Sequence, residues 1–339
     1  MATYKGIQGF SIQNLSADPS NPIEGQVWYN STSNVWKVEE LTTAGSWATG
    51  NNTNTAGSSR GGAGIQTAGL IFAGQAPPTF NRITETEEYD GSTWTIGGSL
   101  PLAKANCAGL GTQTAAVNAT GQAPVSPNPS TGIVSSSEEY DGTSWTASNP
   151  VNTGRWLAGS AGTQTAGLIF GGAIGSGAPI NATGATEEYN GTSWATSPGS
   201  LNTARAGLAA AGTQTAALGA GGVADPGSFN LSEEYNGTSW SAGGTINTTR
   251  NSFSGAGTQT AGIVYAGNPI TGATETYDGN SWTTEATMAT ARYNTAGASS
   301  APNSQAMVGS GALSGTSNTA ATEEWTGAGA AVTKTITVS

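Results

Sequence analysis

The feature that most constrains this chain is its self-similarity. The element Y-[D/N]-G-x-x-W occurs at Tyr89–Trp94, Tyr140–Trp145, Tyr189–Trp194, Tyr235–Trp240 and Tyr277–Trp282. With Trp47 added, the tryptophans step by 47, 51, 49, 46 and 42 residues. A second element, G-x-Q-T-A, begins at Gly64, Gly111, Gly162, Gly212 and Gly257, and a degenerate copy is expected near Asn303-Ser304-Gln305-Ala306. A basic residue precedes each copy: Arg60, Lys104, Arg155, Arg205, Arg250 and Arg292. Three markers in constant order over units of this length mean tandem supersecondary units, each burying its faces against its neighbours.

Each unit reads as four short strands, A to D. The stretch after the basic residue, such as Arg205–Leu208, predicts strand A. A Gly-containing turn and an apolar run such as Thr165–Gly172 predict strand B, since a short apolar run bounded by glycines suits a strand buried on both faces. Thr186–Tyr189 predicts strand C. The Asn190-Gly191 or Asp90-Gly91 dipeptide predicts a tight hairpin with both residues at positive φ, and strand D begins at the Trp. Four strands per unit of this length is the blade signature of an all-β propeller, which leaves only short outer edges.

The motifs resemble those of the Kelch family: a Gly-Gly after an apolar strand, then a Tyr, then a Trp, then a basic residue. Gly171-Gly172 and Gly221-Gly222 match the doublet, Ala73-Gly74 and Ala266-Gly267 keep its second glycine, and the unit after Gly111 has no clear one. The resemblance covers about Val38 to the end of the chain and implies Kelch-like blades. Six A–B segments predict six blades. In the last unit, Trp325 stands in the Tyr slot and no Trp follows it five residues later. We therefore expect the strand around Trp47 to complete the last blade and close the ring, with residues 38–339 as the propeller. The alternative is that Val332–Val338 supplies that strand and Val38–Trp47 begins a seventh blade.

The B–C connections vary most: Gln75–Ile83, Gly121–Val134, Ala173–Gly184 and Val223–Leu231 differ in length and character. Strand alternation puts the B–C and D–A connections on one face of the ring. One face is thus repetitive and the other loop-rich, which is where repeat proteins often bind.

Composition narrows the chemistry. The net charge of −11 supplies no basic surface for phosphate, so nucleic acid is not an expected partner. No stretch has the length of a membrane span and Met1–Phe10 lacks the apolar core of a signal peptide, so neither membrane insertion nor standard secretion is expected. Cys107 is the only cysteine, which rules out an intrachain disulfide and reads as a small residue packed in a strand. Histidine is absent, which removes imidazole acid–base catalysis, Ser-His and Cys-His nucleophile systems and most transition-metal sites. The remaining candidates are the repeated carboxylates: Glu87-Glu88, Glu138-Glu139, Glu187-Glu188, Glu233-Glu234 and the partial Glu275 copy. Carboxylates in a ring are able to hold Ca²⁺, and a pair is able to cleave a glycosidic bond. Adjacent strand residues face opposite ways, however, so one Glu of each pair is placed to meet the repeat's Arg or Lys. An active site also needs distinct residues converging once rather than a duplicated position. The chain is expected to be no enzyme and to need no cofactor or metal.

Residues 1–37 lack the repeat. The run P-x-x-G-x-x-W-Y-N-x-x-x-x-x-x-K, Pro22 to Lys37, resembles a module near the ends of tail-fibre and other virion proteins of tailed bacteriophages. The resemblance implies a structural virion protein: a tail fibre, tail tip or capsid decoration located in the virion. An arm with Phe10, Ile12, Leu15, Trp28 and Tyr29 is too short to bury a core of its own. It is expected to serve assembly, packing on the propeller, on another copy in a homo-oligomer, or on other virion proteins. The loop-rich face would then meet a host-surface receptor or glycan. The alternatives are a bacterial lectin-like or adhesive propeller and, further off, a glycan-active propeller enzyme.

Overall fold

A computed structural model describes residues 13–20, 23, 25–41, 44–79, 81–124, 132–175, 180–328 and 331–336, and contains no helix among them. The chain forms two units, Ser46–Thr326 and Met1–Gly45 with Gly327–Ser339. The boundary expected at 37/38 is corrected by this division. Val35–Leu41 pairs with Val27–Asn30 on one side and with Ala331–Ile336 on the other, so both flanks of the repeat belong to the smaller unit.

The larger unit is a β-propeller of six four-stranded antiparallel sheets. Blade 3 shows the pattern: A is Gly159–Thr163, B Ala166–Phe170, C Thr186–Tyr189 and D Trp194–Thr196. Strand A therefore starts later than expected. In blade 4 it runs Ala209–Thr213, and Ala206 makes only a single bridge to Val223. The G-x-Q-T-A element is the A–B hairpin itself, with Thr163 opposite Ala166 across the two-residue loop Gln164-Thr165. Its glycine lies inside strand A at φ +93, where a Cβ on Gly162 would sit 2.2 Å from the Ala166 carbonyl oxygen. The C–D connection is also longer than expected: Tyr189 faces Trp194 across four residues, and of the first two only Gly191 has positive φ. Asn190 caps the turn by accepting from the backbone N–H of Thr192 (3.0 Å) and Ser193 (2.9 Å) through Oδ1.

Two closed circuits of backbone hydrogen bonds set the blade number at six. In the first, Ser59, Asn106, Leu157, Gly207, Ser252 and Asn294 all take φ between 51° and 63°. The N–H of each donates to the carbonyl of the one in the preceding blade, and Ser59 closes the circuit on Asn294, at N···O distances of 2.7–3.0 Å. In the second, Gly74, Gly121, Gly172, Gly222, Gly267 and Gly311 donate to the carbonyls of Lys104, Arg155, Arg205, Arg250, Arg292 and Gly57 at 2.7–3.0 Å. The glycine doublet is thus a backbone requirement for two successive positive φ values. Thr120-Gly121 and Ser310-Gly311 meet it without matching the sequence pattern.

Blade 6 is built from Ala296–Gly297, Met307–Ser314, Ser317–Thr326 and Ser46–Gly50, with Trp47 directly opposite Trp325. The segment Val332–Val338 is not its outer strand, since Ala331–Ile336 pairs with Val35–Leu41. The degenerate A–B copy expected near Asn303–Ala306 is instead part of a longer connection, Ala298–Ala306. There Ser300 donates from N to the Gly64 carbonyl (3.0 Å) and from Oγ to that of Gly111 (2.7 Å), while Gly257 N–H donates to Ala301 (2.8 Å). The connection therefore straps blades 1, 2 and 5 together across the ring axis.

The apolar core lies between blades. Leu168 and Phe170 of blade 3 pack with Leu208, Ala217, Tyr235 and Trp240 of blade 4, with Phe170 and Trp240 ring centroids 4.6 Å apart. Such aromatic pairs add roughly 0.5–1.5 kcal/mol beyond the area they bury.

Candidate functional site

The first Glu of each pair is buried and joined to the repeat's basic residue: Arg60–Glu87 (2.9 Å), Lys104–Glu138 (2.6 Å), Arg155–Glu187, Arg205–Glu233, Arg250–Glu275 (3.2 Å) and Arg292–Glu323. These carboxylates also order the D–A connection. Glu233 accepts from the N–H of Asn202 (2.7 Å) and Thr203 (3.2 Å) and from Asn202 Nδ2 (2.9 Å). A buried charge is best tolerated when its lone pairs and protons are satisfied in this way. Arg250 is the exception, its guanidinium held by the ion pair to Glu275 without a hydrogen bond. Burial pushes Arg155, Arg205 and Arg292 below the usual guanidinium range and Arg250 to about 10.

Arg60 reaches the network from an unexpected place. Gly57 holds the backbone slot occupied by Lys104 and the other basic residues, and a Cβ there would lie 2.5 Å from Arg60 Nε. The sequence spacing carried this signal: Arg60 precedes Gly64 by four residues, whereas Lys104 precedes Gly111 by seven.

The second Glu binds the next blade. Tyr140 Oη donates to Glu88 (2.5 Å), Tyr235 to Glu188 (2.6 Å), Tyr277 to Glu234 (2.6 Å), Tyr189 to Glu139 and Tyr89 to Glu324. Burial, reinforced by these carboxylates, pushes Tyr140, Tyr189, Tyr235 and Tyr277 up to about 12, and Tyr89 upward too. The Gln of G-x-Q-T-A hooks two carbonyls of the preceding blade, as Gln214 Nε2 does at Gly167 (3.0 Å) and Tyr189 (2.8 Å). The repeated Trp donates from Nε1 to a Thr or Ser one blade back: Trp94 to Thr322, Trp145 to Thr86, Trp240 to Thr186, Trp282 to Ser232 and Trp47 to Thr274. Trp194 breaks the series, because its Nε1 and the Ser137 hydroxyl are both buried without a partner.

Between blades 5 and 6 the Tyr–Glu lock gives way to aromatic packing, while the Trp47–Thr274 hydrogen bond remains. Thr276 takes the Glu slot and Trp325 the Tyr slot, while Trp47 packs on Tyr265 and Trp325 with centroids 5.1 and 5.5 Å apart. All eleven repeat aromatics, from Trp47 and Tyr89 to Tyr277 and Trp282, thus serve blade contacts.

The axis itself holds little space. Two voids measure about 110 and 100 Å³, the first lined largely by the small residues of the A strands and the second by the residues just before them, Arg60, Leu157, Leu208 and Phe253 included. They are well below the roughly 300–1,000 Å³ of ordinary ligand pockets. Cys107 lines both, with burial pushing its thiol up to about 11, so it stays protonated at neutral pH. Among the described residues, no group of three His, Cys, Asp or Glu side chains is placed to hold a metal ion.

The variable connections rise on the face that carries the first backbone circuit. Gln75–Ala76 pairs with Asn81–Arg82, Gln122–Ala123 with Gly132–Ile133, and Val223–Ala224 with Gly227–Ser228, as short two-stranded ribbons. Their neighbourhood exposes Pro77, Pro78, Ile174, Pro226, Pro269, Ile270 and Leu313. Arg82, Glu85 and Asp225 are the only charged residues in the six B–C connections, and Glu85 is paired with Arg60 (3.0 Å). These connections therefore carry little charge on a chain of net charge −11.

In the smaller unit, the side chains of the W-Y-N…K run converge on one carboxylate. Asp18 accepts from Trp28 Nε1 (3.0 Å), Asn30 Nδ2 (2.7 Å) and Lys37 Nζ (2.5 Å), and the hydrogen bond from Lys37 is the main reason its pKa falls to about 2. Trp28 is fully buried, Leu15 is half-buried opposite Asn30, and Tyr29 packs on the exposed Trp36 with ring centroids 5.3 Å apart and planes tilted by 55°. Phe10 and Ile12 lie outside the described residues. Sequence reasoning missed Asp18, which precedes the motif and has no repeat partner to reveal it.

With this geometry in view, the solved structure of YjhT is similar to the chain, with a TM-score of 0.66 over 80% of this chain and 95% of that one at 11% sequence identity. The likeness is one of fold. Neither a family model nor a curated protein matches the sequence.

Proposed function

We propose that the chain is a non-enzymatic structural protein of a tailed-phage virion, a tail fibre, tail tip or capsid decoration, whose ribbon face meets the host surface or other proteins. The observation that carries this reading is a division of labour within the repeat. The recurring buried carboxylates, bases and phenols are tied to one another inside and between blades, which leaves no unpaired acid–base couple at the repeated positions. Sequence variety is gathered in ribbons on one face, where contact with a partner costs the ring nothing.

The attribution to a virion draws on the W-Y-N…K run, whose Trp28, Asn30 and Lys37 are spent on Asp18 to build the small sheet. That sheet is the element through which other virion proteins would hold the chain. The test is mass spectrometry and antibody labelling of purified particles, followed by adsorption assays in which the isolated chain competes for host cells. Labelled particles and competed adsorption are the expected results. Absence from particles with retention on a bacterial surface would instead favour the adhesive propeller reading.

A further inference from the structure

We propose that Asn190 and Asn236 are sites of spontaneous, backbone-assisted deamidation, formed by the turns that join strands C and D. Five of these turns share one geometry, and their first residue is Asp90, Asp141, Asn190, Asn236 or Asp278. Both asparagines are exposed and both precede a glycine at positive φ.

In the reaction the backbone nitrogen of the glycine attacks Cγ of the asparagine and gives up its proton to solvent. The bond from Cγ to the side-chain nitrogen breaks, ammonia leaves and a cyclic imide remains. Water then opens the imide at either carbonyl and leaves a carboxylate. No redox partner is needed, and water is the only co-reactant.

The turn supports each stage. Among the described residues the N–H groups of Gly191 and Gly237 have no acceptor, so the attacking nitrogen is not held back. The oxygen that gains negative charge during attack is Oδ1, and the turn already aims donors at it. Asn190 Oδ1 receives the N–H of Thr192 (3.0 Å) and Ser193 (2.9 Å). Asn236 Oδ1 receives those of Thr238 (3.0 Å) and Ser239 (2.9 Å) and the Thr238 hydroxyl (2.9 Å). Fixed donors at the site of developing charge lower the barrier to such an addition.

Of the two products, the one with an ordinary aspartate backbone also suits the site. Asp90, Asp141 and Asp278 accept the same pair of N–H groups at 2.6–2.8 Å, with a further hydroxyl on the second oxygen. The backbone donors hold these three carboxyls below their usual range. Asn251 offers the contrast, since it is buried and the N–H of the following Ser252 is committed to the Gly207 carbonyl.

Full conversion takes the net charge from −11 to −13, one unit for each of the two sites. The test is to incubate the intact chain at mildly alkaline pH, natively and in urea, and map the amide-to-acid mass gain by peptide. Asn190 and Asn236 should convert at least as fast folded as unfolded, while the other asparagines keep their amides in the folded chain. Ion exchange should resolve two successive acidic species, and Asn190→Asp should remove one of these shifts while leaving the thermal midpoint equal or higher. Slower conversion in the folded chain than in urea, conversion spread over other asparagines, or a lower midpoint for Asn190→Asp would overturn the proposal.

Discussion

At the scale of single residues, the repeat supplies its own controls. Ser137 stands where Thr86, Thr186, Thr274 and Thr322 accept a tryptophan N–H, yet its hydroxyl and Trp194 Nε1 do not meet. A β-branched side chain has fewer χ1 choices, so Ser137→Thr should place its hydroxyl as the sister blades do. We expect a gain of about 1 kcal/mol, the net worth of one hydrogen bond, visible as a higher urea midpoint with an unchanged slope. The buried pair Arg205–Glu233 gives an asymmetric case. Glu233→Leu strands Arg205 and also releases the N–H groups of Asn202 and Thr203. It should cost about 3–5 kcal/mol, the range for breaking a buried pair, and more than Arg205→Met, which leaves the carboxylate its loop donors. Equal losses in chemical denaturation would refute this ordering. These roles were partly legible beforehand. A repeated Glu beside a repeated base suggests an ion pair, but which Glu turns inward depends on strand register, and the reach of Arg60 from behind Gly57 showed only as a spacing anomaly.

At the scale of elements, the polar contacts between blades give the ring a definite response to base. The phenols of Tyr140, Tyr189, Tyr235 and Tyr277 are held neutral up to about pH 12, against an ordinary value near 10. A raised folded pKa contributes stability that is complete below pH ~10 and is lost as pH rises toward ~12. Tyr235→Phe should therefore fall less steeply over that window than the parent chain, measured by circular dichroism during alkaline titration. An equally steep fall would remove Tyr235 as a contributor. Strands C and D were readable from Tyr and Trp because those side chains mark the boundary of a hairpin. Strand A was misplaced because its residues are nearly all Gly, Ala, Ser and Thr, which carry no periodic signal. The strap at Ala298–Ala306 was hidden for a related reason. Its bonds run to backbone carbonyls of blades 1 and 2 and from a backbone N–H of blade 5, and those groups exist whatever the side chains are.

At the scale of the whole molecule, the chain is divided by strand pairing rather than by sequence order. A fragment spanning Ser46–Thr326 retains every strand of the six blades and should melt cooperatively, whereas one starting at Asn51 loses the outer strand of blade 6 and uncovers Trp325. Thermal unfolding of the two fragments followed by tryptophan fluorescence checks this, and a cooperative transition in the shorter one would show the closing strand to be dispensable. Sequence alone anticipated a role for Trp47 but put the tail beyond Thr326 in the propeller. A strand's partner is not encoded in its own alternation, so Ala331–Ile336 could be assigned only once its register with Val35–Leu41 was seen. The closing pair also decides how the ring carries load. Ser46 begins one strand, Thr326 ends its antiparallel neighbour, and the two lie opposite each other at the same end of the sheet. Tension applied through both flanking segments in one direction is shared by two chains, so it pulls the closing strand along with its partner and does not peel them apart.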